Sequence, residues 1–202
     1  MSKMARDLFR DKYRLISQYV DILTSRGNVW GVLGPREADR IWERHILNSV
    51  SIADLIPSGA SVSDIGSGAG LPGLPVAILR PDLHVTCVEP LLRRVTFLTE
   101  AVAELGLVDR VDIIRGRAED LTVRFDAVMS RALAPLAKLA GWCSPLMAES
   151  GQILAIKGQS AFDELTRDSK ELSRLGLNAE AITCRAHPCA EPTYAVRMTR
   201  AH

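Results

Sequence analysis

From residue 61 onward, short apolar or β-branched runs alternate with longer amphipathic stretches. This alternation is typical of βαβ units, in which helices cover both faces of a parallel sheet. The apolar runs predict strands at Ser61–Ile65, His84–Val88, Val111–Ile114, Phe125–Met129 and Gln152–Ile156. The amphipathic stretches predict helices at Pro75–Leu79, Leu91–Leu105, Pro135–Met147 and Ala161–Leu175, with stop signals at Gly106, Ser150-Gly151 and Gly176.

The pattern changes after Gly176. Two further apolar runs, Ala181–Arg185 and Thr193–Thr199, follow each other without a helical stretch between them. Adjacent strands of this kind predict an antiparallel hairpin. The chain is therefore expected to be an α/β protein with a seven-stranded mixed sheet, which a plain dinucleotide-binding domain does not usually have.

Two helical stretches, Met4–Thr24 and Pro35–Leu55, precede the first strand, with Gly27 to Gly34 between them. In the first stretch, apolar residues recur every three or four positions opposite a basic face, so one side should pack and the other stay exposed. We expect an N-terminal helical extension over residues 1–58, packed on a domain over 59–202, in a single structural unit.

The composition is typical of a soluble globular protein, with 202 residues, 47% hydrophobic, 24% charged and a net charge of +1. So small a net charge does not indicate a general nucleic-acid binder, and an RNA contact would need a local patch. Residues 1–45 do carry nine Lys or Arg against six carboxylates.

Three common features of other protein classes are missing from the sequence. No apolar run approaches the ~20 residues that span a bilayer, and the N-terminus lacks the apolar core of a signal peptide, so we expect a cytoplasmic protein. Four cysteines in a chain of this length do not suggest a disulfide framework. Cys184, His187 and Cys189 form one cluster without a second ligand pair, so no metal is expected.

A glycine-rich segment, Asp64-Ile65-Gly66-Ser67-Gly68-Ala69-Gly70-Leu71-Pro72-Gly73, directly follows the first predicted strand. Glycine reaches positive φ and lets a ligand approach the backbone, so this glycine turn predicts a cofactor cradle. From Gly68 it also matches G-x-G-x-x-G, with Glu89 about twenty residues on as a possible ribose acid.

Two cofactor classes compete for the glycine turn. A pyrophosphate needs free N–H donors and no nearby anion, whereas Pro72 and Pro75 remove donors and Asp64 would repel it. A cofactor with a sulfonium, an ammonium and a ribose but no phosphate suits the carboxylates better, and S-adenosylmethionine is such a cofactor. An NAD-dependent oxidoreductase remains the alternative enzyme.

Together with the glycine turn, three further segments resemble the RsmG family, also called GidB, of small-subunit (16S) ribosomal RNA guanine-N7 methyltransferases. They are Glu43-Arg44-His45-Ile46-Leu47-Asn48-Ser49, Ser130-Arg131-Ala132 and Ile156-Lys157-Gly158, and the resemblance extends over residues 8 to 200. The family pattern often has Asp at position 48 and Phe at position 71, where this chain has Asn48 and Leu71.

The resemblance implies a Rossmann-like class I methyltransferase fold that uses S-adenosylmethionine to methylate N7 of a guanine in 16S RNA. The implied partner is small-subunit ribosomal RNA or the assembling small subunit, with no membrane contact and a monomeric chain. The alternative from another class is a non-catalytic RNA-binding ribosome assembly factor with the same fold. Because guanine N7 has an unprotonated lone pair, the reaction needs no general base, and no catalytic residue is assigned.

Strand ends and the resemblance together assign roles to individual residues. Asp64 is expected to hold the cofactor ammonium or a water, Glu89 the ribose hydroxyls, and Arg131 the cofactor carboxylate. The expected cofactor-binding set is Asp64, Gly66, Gly68, Leu71, Glu89, Ala118, Glu119 and Arg131, with Gly70 completing the cradle. His45 and Lys157 are the candidates for the RNA side of the pocket. The candidates for contacting RNA phosphates are Arg10, Arg14, Arg40, Arg44, Arg93, Arg94 and Lys138.

Overall fold

The computed structural model describes residues 2–31, 34 and 40–201, and within this part seven strands form one sheet. The strands are β1 (Ser61–Ile65), β2 (His84–Glu89), β3 (Val111–Arg115), β4 (Phe125–Arg131), β5 (Met147–Ile156), β6 (Leu177–Cys184) and β7 (Thr193–Arg200). Their order across the sheet is β3-β2-β1-β4-β5-β7-β6. Strands β1 to β5 are parallel, and β7 is antiparallel to both β5 and β6. The predicted α/β fold with a seven-stranded mixed sheet and a C-terminal hairpin is confirmed.

Helices flank this sheet and precede it. They are α1 (Ser2–Phe9), α2 (Tyr13–Trp30), α3 (Asn48–Val50), α4 (Gly73–Leu79), α5 (Leu92–Glu104), α6 (Leu136–Cys143) and α7 (Ala161–Arg174). A π-helical stretch, Ile41–Leu47, leads directly into α3. Single 3₁₀ turns lie at Arg10–Lys12, Ala53–Leu55, Ala118–Asp120, Ser144–Leu146 and Gly158–Ser160. Across the described ranges, every helix is too short or too polar to cross a bilayer.

The fifth strand is longer than predicted. It begins at Met147, and the helix expected to run to that residue ends at Cys143. Gly151, expected with Ser150 to end a helix, lies inside β5, where a Cβ would be 2.8 Å from the carbonyl oxygen of Phe125. The pairing of β4 with β5 shifts register at this point. A glycine within a strand often marks such a close backbone approach, so the helix-stop interpretation was wrong.

The first strand of the hairpin also differs from its predicted bounds. It was expected over Ala181–Arg185, but β6 begins at Leu177 and ends at Cys184. Gly176, two residues after the end of α7, adopts a φ of +67°, and the chain enters the strand at the next residue. The helix and the strand are therefore joined by a short turn at this glycine, and not by the longer loop that the sequence pattern predicted.

The N-terminal helices also differ from their predicted bounds. The expected helix Met4–Thr24 is divided into α1 and α2 at Arg10, whose φ of 49° interrupts the helical backbone. Helix α2 then continues to Trp30, whose ring lies 6.4 Å from that of Phe97 on α5. The apolar spacing is similar on both sides of Arg10, so periodicity alone did not reveal the break. Of the second expected helix, Pro35–Leu55, positions 35–39 lie outside the described residues.

Two hydrophobic clusters cover the two faces of the sheet. Ala127 and Met129 of β4 belong to one cluster and Val128 between them to the other, as expected from the alternation of side chains along a strand. The first cluster also contains Phe9 and Leu23, so the N-terminal helices share a core with the sheet. The proposed division of the chain at residue 58 stays a prediction.

Candidate active site

Three of the expected site residues lie at adjacent strand ends on the carboxyl edge of the sheet. Asp64 is near the end of β1, Glu89 ends β2, and Arg131 ends β4. Strand β1 lies between β2 and β4, so the chain reverses its direction of winding between β1 and β4. Open α/β sheets bind ligands at such a switch point, outside the carboxyl ends of the strands.

Backbone N–H groups of the glycine turn are used within the protein. Gly66 and Ser67 both donate to the carbonyl oxygen of Val88, at 2.9 and 3.1 Å, and Gly68 donates to Glu89 Oε2 at 3.0 Å. Further along the turn, Gly70 and Leu71 donate to Ser67, and Gly73 donates to Asp64. A diphosphate is held by free N–H groups, so this arrangement favours a cofactor without phosphate over a dinucleotide.

The glycines of the turn differ in how much space there would be for a Cβ atom if the residue were not glycine. At Gly68, with φ +61°, the nearest atom to a Cβ would be the Gly66 carbonyl oxygen at 3.9 Å, so this backbone is open. At Gly66, with φ +72°, a Cβ would lie 2.5 Å from Leu133 Cδ1. At Gly70 it would lie 2.7 Å from the Leu74 side chain, in the core. The open part of the expected cradle is therefore at Gly68.

Asp64 is completely buried and has one carboxylate oxygen in use. Its Oδ2 accepts from the Ser67 hydroxyl at 2.5 Å and from Gly73 N at 2.9 Å, which caps the start of α4. Within the described part of the chain, Oδ1 has no hydrogen-bond partner. Burial raises the pKa of Asp64 to about 6, although the hydrogen bonds and the charge of Arg131 oppose that shift. A buried acceptor of this kind is usually partnered, and a cationic ligand group would partner it.

Glu89 lies beside the open glycine and is 1% exposed. Its Oε2 accepts from Gly68 N, its Oε1 accepts from Leu91 N at 3.1 Å, and Arg94 Nη1 lies 3.7 Å from Oε2. Because each carboxylate oxygen has two lone pairs, Glu89 can accept further hydrogen bonds from ligand hydroxyls.

The remaining expected cofactor residues differ in exposure. Ala118 is buried and Glu119 is exposed in the turn after β3. Asp120 caps this turn by accepting from Arg117 N at 2.8 Å. Leu71, also in the expected cofactor-binding set, is 6% exposed and belongs to the hydrophobic core.

A cleft of about 940 Å³ opens beside these strand ends. It is lined by Met4, by parts of residues 40–51, by the segments after β4 and β5, by Glu164 and Arg167 of α7, and by residues 189–193. The structure brings together His45, Arg131 and Lys157 here, whereas the other expected cofactor residues lie outside the lining. Its basic side chains besides these are Arg40, Arg44 and Arg167, and its acidic ones are Glu43, Glu164 and Glu191.

Arg131 connects the sheet edge to the N-terminal extension. Its Nη1 donates to the carbonyl oxygen of Arg44 at 3.0 Å, and its Nη2 lies 3.1 Å from His45 Nδ1. A guanidinium can only donate, so Nδ1 accepts and the proton of the neutral imidazole is on Nε2. Nearby, Asn48 Nδ2 donates to Thr193 Oγ1 at 2.8 Å, which joins the extension to β7.

The ammonium group of Lys157 contacts protein groups at the wall of the cleft. The side chain is 6% exposed, Nζ lies 2.9 Å from Glu164 Oε2, and Nζ also donates to the carbonyl oxygen of Ala134. Lys157 therefore holds two segments of the protein together.

The candidates for phosphate contact fall into three groups. Arg40 and Arg44 line the cleft. Arg94 faces Glu89, and Lys138 Nζ lies 4.9 Å from the centre of the Trp142 ring. Arg10, Arg14 and Arg93 are exposed.

The cysteine and histidine cluster near the cleft has no metal-site geometry. Cys184 is buried and Cys189 is exposed, and Cys189 N donates to His187 Nδ1 at 3.1 Å. In the described ranges, no three His, Cys, Asp or Glu side chains come together as candidate ligands.

Two residues that shape the site were not predicted from the sequence. Tyr19 occupies one of the apolar positions of the predicted helix Met4–Thr24, but its hydroxyl donates to the carbonyl oxygen of Ala69 in the glycine turn at 2.8 Å. A tyrosine at a buried position of a helix indicates that its hydroxyl has a hydrogen-bond partner, but the sequence does not identify that partner. Glu164, which contacts Lys157, lies on an amphipathic helix, and nothing in the sequence distinguishes it from the other acidic residues there.

Comparisons with known proteins agree with this architecture. The family described as rRNA small subunit methyltransferase G, GidB, matches residues 12–191. The ribosomal RNA small subunit methyltransferase G of Mycobacterium leprae (strain TN) is 49% identical over 199 residues, which cover 96% of this chain and 80% of that protein.

Two solved structures show the same fold at low identity. A ribosomal protein L11 methylase from Lactobacillus delbrueckii subsp. bulgaricus has a TM-score of 0.60 at 18% identity, covering 77% of each chain. M. jannaschii TYW2 in complex with AdoMet has a TM-score of 0.57 at 16% identity, covering 75% of this chain and 74% of that one. These likenesses confirm the predicted Rossmann-like methyltransferase fold, and the family match confirms the predicted resemblance. The chain belongs to the rRNA small subunit methyltransferase G family.

Proposed function

We propose that this chain binds S-adenosylmethionine at the carboxyl edge of its sheet and transfers the methyl group to N7 of a guanine in 16S ribosomal RNA. One juxtaposition carries the proposal: two buried carboxylates flank the open backbone of Gly68, whose N–H group donates to Glu89, next to a cleft with basic walls. Family membership supports the RNA substrate, since the relative from M. leprae is named for that activity. The structural neighbour TYW2 supports the cofactor, since it is in complex with AdoMet.

The residues at the sheet edge suit this cofactor. Asp64 Oδ1 would accept from the ammonium group, and Glu89 would accept from the ribose hydroxyls beside the open backbone of Gly68. Ala118 and Glu119 would line the adenine. Gly66 would form part of the cradle, Leu71 would give it an apolar wall, and Arg131 would face the cofactor carboxylate. When bound, S-adenosylmethionine supplies a methyl group activated by a positively charged sulfur.

On the acceptor side, the protein has to hold a guanine with its N7 edge free. The base must be unstacked or in an open RNA conformation to enter a pocket, and Arg40, Arg44 and Arg167 at the cleft can pair with its phosphates. His45 lines this cleft next to Arg131, so it is placed to contact the RNA. The natural partner would be small-subunit RNA or the assembling small subunit, in the cytoplasm and with a monomeric enzyme.

The reaction requires alignment more than proton transfer. In the proposed reaction, guanine N7 would form a bond to the methyl carbon while the bond between sulfur and methyl breaks and S-adenosylhomocysteine leaves. N7 carries no proton, so no base would be needed, and the positive charge of the sulfonium would pass to the purine. The protein then contributes mainly by fixing acceptor and donor in line, which can account for several kcal/mol, on the order of 7–11 at the upper end. Residues that fix position should therefore affect the rate more than any single acid or base.

Calorimetric titration tests the cofactor assignment directly. S-adenosylmethionine should bind and NAD should not, because the turn offers carboxylates and internally bonded N–H groups. Binding of NAD with no binding of S-adenosylmethionine would contradict the proposal. Methyl transfer to small subunits that lack the modification then tests the RNA assignment.

A further inference from the structure

The segment between β4 and α6 separates the glycine turn from the cleft. Leu133 packs on the backbone of Gly66 so closely that a Cβ there would lie 2.5 Å from Leu133 Cδ1. The same side chain is 38% exposed and lines the cleft. Ala132, directly before it, has a φ of 50°, which is uncommon for a residue other than glycine. Leu133 therefore contacts both the expected cofactor side and the expected RNA side.

The far end of this segment is fixed by two charged side chains, Lys157 and Glu164, which we call the Lys157–Glu164 clamp. Glu164 Oε2 accepts from Leu136 N at 2.8 Å and lies 2.9 Å from Lys157 Nζ. Lys157 Nζ also donates to the carbonyl oxygen of Ala134. The clamp thus holds the backbone on the C-terminal side of Leu133 at two atoms.

A second carboxylate of α7 supports the same backbone. Asp168 Oδ2 accepts from Ala137 N at 3.0 Å, one residue beyond the N–H that Glu164 accepts. These N–H groups belong to the first turn of α6 and have no partner within their own helix. The position of α6, and of the segment leading into it, therefore depends on α7.

The burial of the clamp argues for a role in geometry. The side chains of Lys157 and Glu164 are 6% and 15% exposed. Burial by itself would raise the pKa of Glu164, but hydrogen bonds from Lys157 and Ser160 hold it below the ordinary value, so the carboxylate stays ionised. Buried ion pairs contribute little net stability because desolvation offsets their attraction. The clamp is therefore better explained by the position that it fixes.

We propose that the Lys157–Glu164 clamp positions Leu133 as the wall between cofactor and acceptor base, and that this wall sets the alignment for methyl transfer. The proposal rests on the proposed function. Lys157 is then a positioning residue, since its ammonium group already contacts Glu164 and Ala134 and its charge is matched by a carboxylate.

A split between turnover and binding follows from this role. Lys157→Met should lower kcat by up to about 100-fold, the loss that a small misalignment can cause. The dissociation constant for S-adenosylmethionine and the KM for small subunits should change less than about threefold, because under this proposal the Lys157 ammonium group contacts Glu164 and Ala134 and neither ligand. A raised KM with unchanged kcat would identify Lys157 as an RNA contact and would overturn the proposal.

A double-mutant cycle tests whether the clamp acts through Leu133. Lys157→Met, Leu133→Ala and their combination are compared in kcat, with Lys170→Met on the exposed face of α7 as the matched control. If the clamp acts through Leu133, the double variant should lose hardly more than the worse single variant. Losses that simply multiply would overturn it. If Lys157→Met does not fold, Glu164→Gln takes its place in the same cycle, because it keeps an acceptor for Leu136 N.

A measurement without turnover separates this proposal from the proposed function. Methyl NMR of the protein without cofactor should show shifted Leu133 resonances in Lys157→Met and unchanged ones in Lys170→Met. Unchanged Leu133 resonances in both variants would overturn the clamp. If the unaltered protein transferred no methyl group to RNA, the proposed function would fail, and the NMR comparison would still decide the clamp.

Discussion

The open backbone at Gly68 yields a sharp test of the cofactor cradle through Gly68→Ala. Gly68 has a φ of +61°, and the nearest atom to an added Cβ is 3.9 Å away, so the substitution creates no clash in the protein alone. Its cost to the fold is the left-handed conformation, about 1–2 kcal/mol for a residue with a Cβ. Gly106 is a matched control, since its φ is +65° and no atom lies within 4 Å of an added Cβ.

The two glycines differ in location. Gly68 lies at the carboxyl edge of the sheet beside Glu89, whereas Gly106 follows α5 and precedes β3, at the opposite edge. Both Ala variants should lose similar stability, a drop in Tm of about 2–8 °C for a chain of this size. Gly68→Ala alone should weaken S-adenosylmethionine binding, because the methyl group occupies space next to the ligand at an overpacking cost of about 1–3 kcal/mol.

Isothermal titration calorimetry and thermal unfolding measure these two effects. The overpacking cost corresponds to a Kd for S-adenosylmethionine raised by about 5-fold to 150-fold in Gly68→Ala. Gly106→Ala should keep the Kd of the unaltered protein. If both variants bound the cofactor equally well, the ligand would not lie over Gly68 and the cradle assignment would be refuted.

Three further predictions concern the edges of the site. Tyr19→Phe removes a hydroxyl that donates to a carbonyl of the glycine turn, so it should lower the free energy of unfolding by about 1–3 kcal/mol in denaturant titration. Tyr194→Phe serves as the control, and an unchanged unfolding midpoint in Tyr19→Phe would contradict the contact. Because the pKa of Asp64 is about 6, its carboxyl takes up a proton as the pH falls through that value, and the affinity for a cationic cofactor should fall by at most about tenfold per pH unit below it. Asp64→Asn should bind the cofactor weakly, with an affinity that does not depend on pH in this range. If the variant kept the pH profile of the unaltered protein, Asp64 would not be the group that holds the cofactor. Arg40→Glu, at the cleft, should weaken small-subunit binding and reduce the salt dependence of that binding, while the cofactor affinity stays unchanged. Lys170→Glu, on the exposed face of α7, is the control and should leave small-subunit binding as it is. Equal effects of the two variants would argue against an RNA contact in the cleft.

The sequence pattern predicted the strand ends that place Asp64, Glu89 and Arg131 together. This succeeded because the carboxyl ends of parallel strands meet at one edge, so knowing the strands is enough to place residues that end them. The alternating runs of β-branched residues made those strands easy to recognise. The cofactor side of the candidate site was therefore largely predictable.

Contacts between distant segments were not predictable in the same way. Tyr19 and Ala69, or Lys157 and Ala134, meet only because separate elements pack against each other, and no periodic pattern along the chain encodes such a pair. Gly151 was difficult to predict for a related reason, because a glycine in the sequence is compatible both with the end of a helix and with the close approach of two strands. Tertiary packing decided between these purposes.

Mapping of methyl transfer tests the central claim most directly. The protein is incubated with S-adenosylmethionine labelled in its methyl group and with small subunits that lack the modification, and the labelled nucleotide is then identified by mass spectrometry. We expect label on N7 of a single 16S guanine with the unaltered protein, and strongly reduced label with Gly68→Ala but not with Gly106→Ala. Label on another atom, or transfer that is equally strong with both Ala variants, would contradict the account.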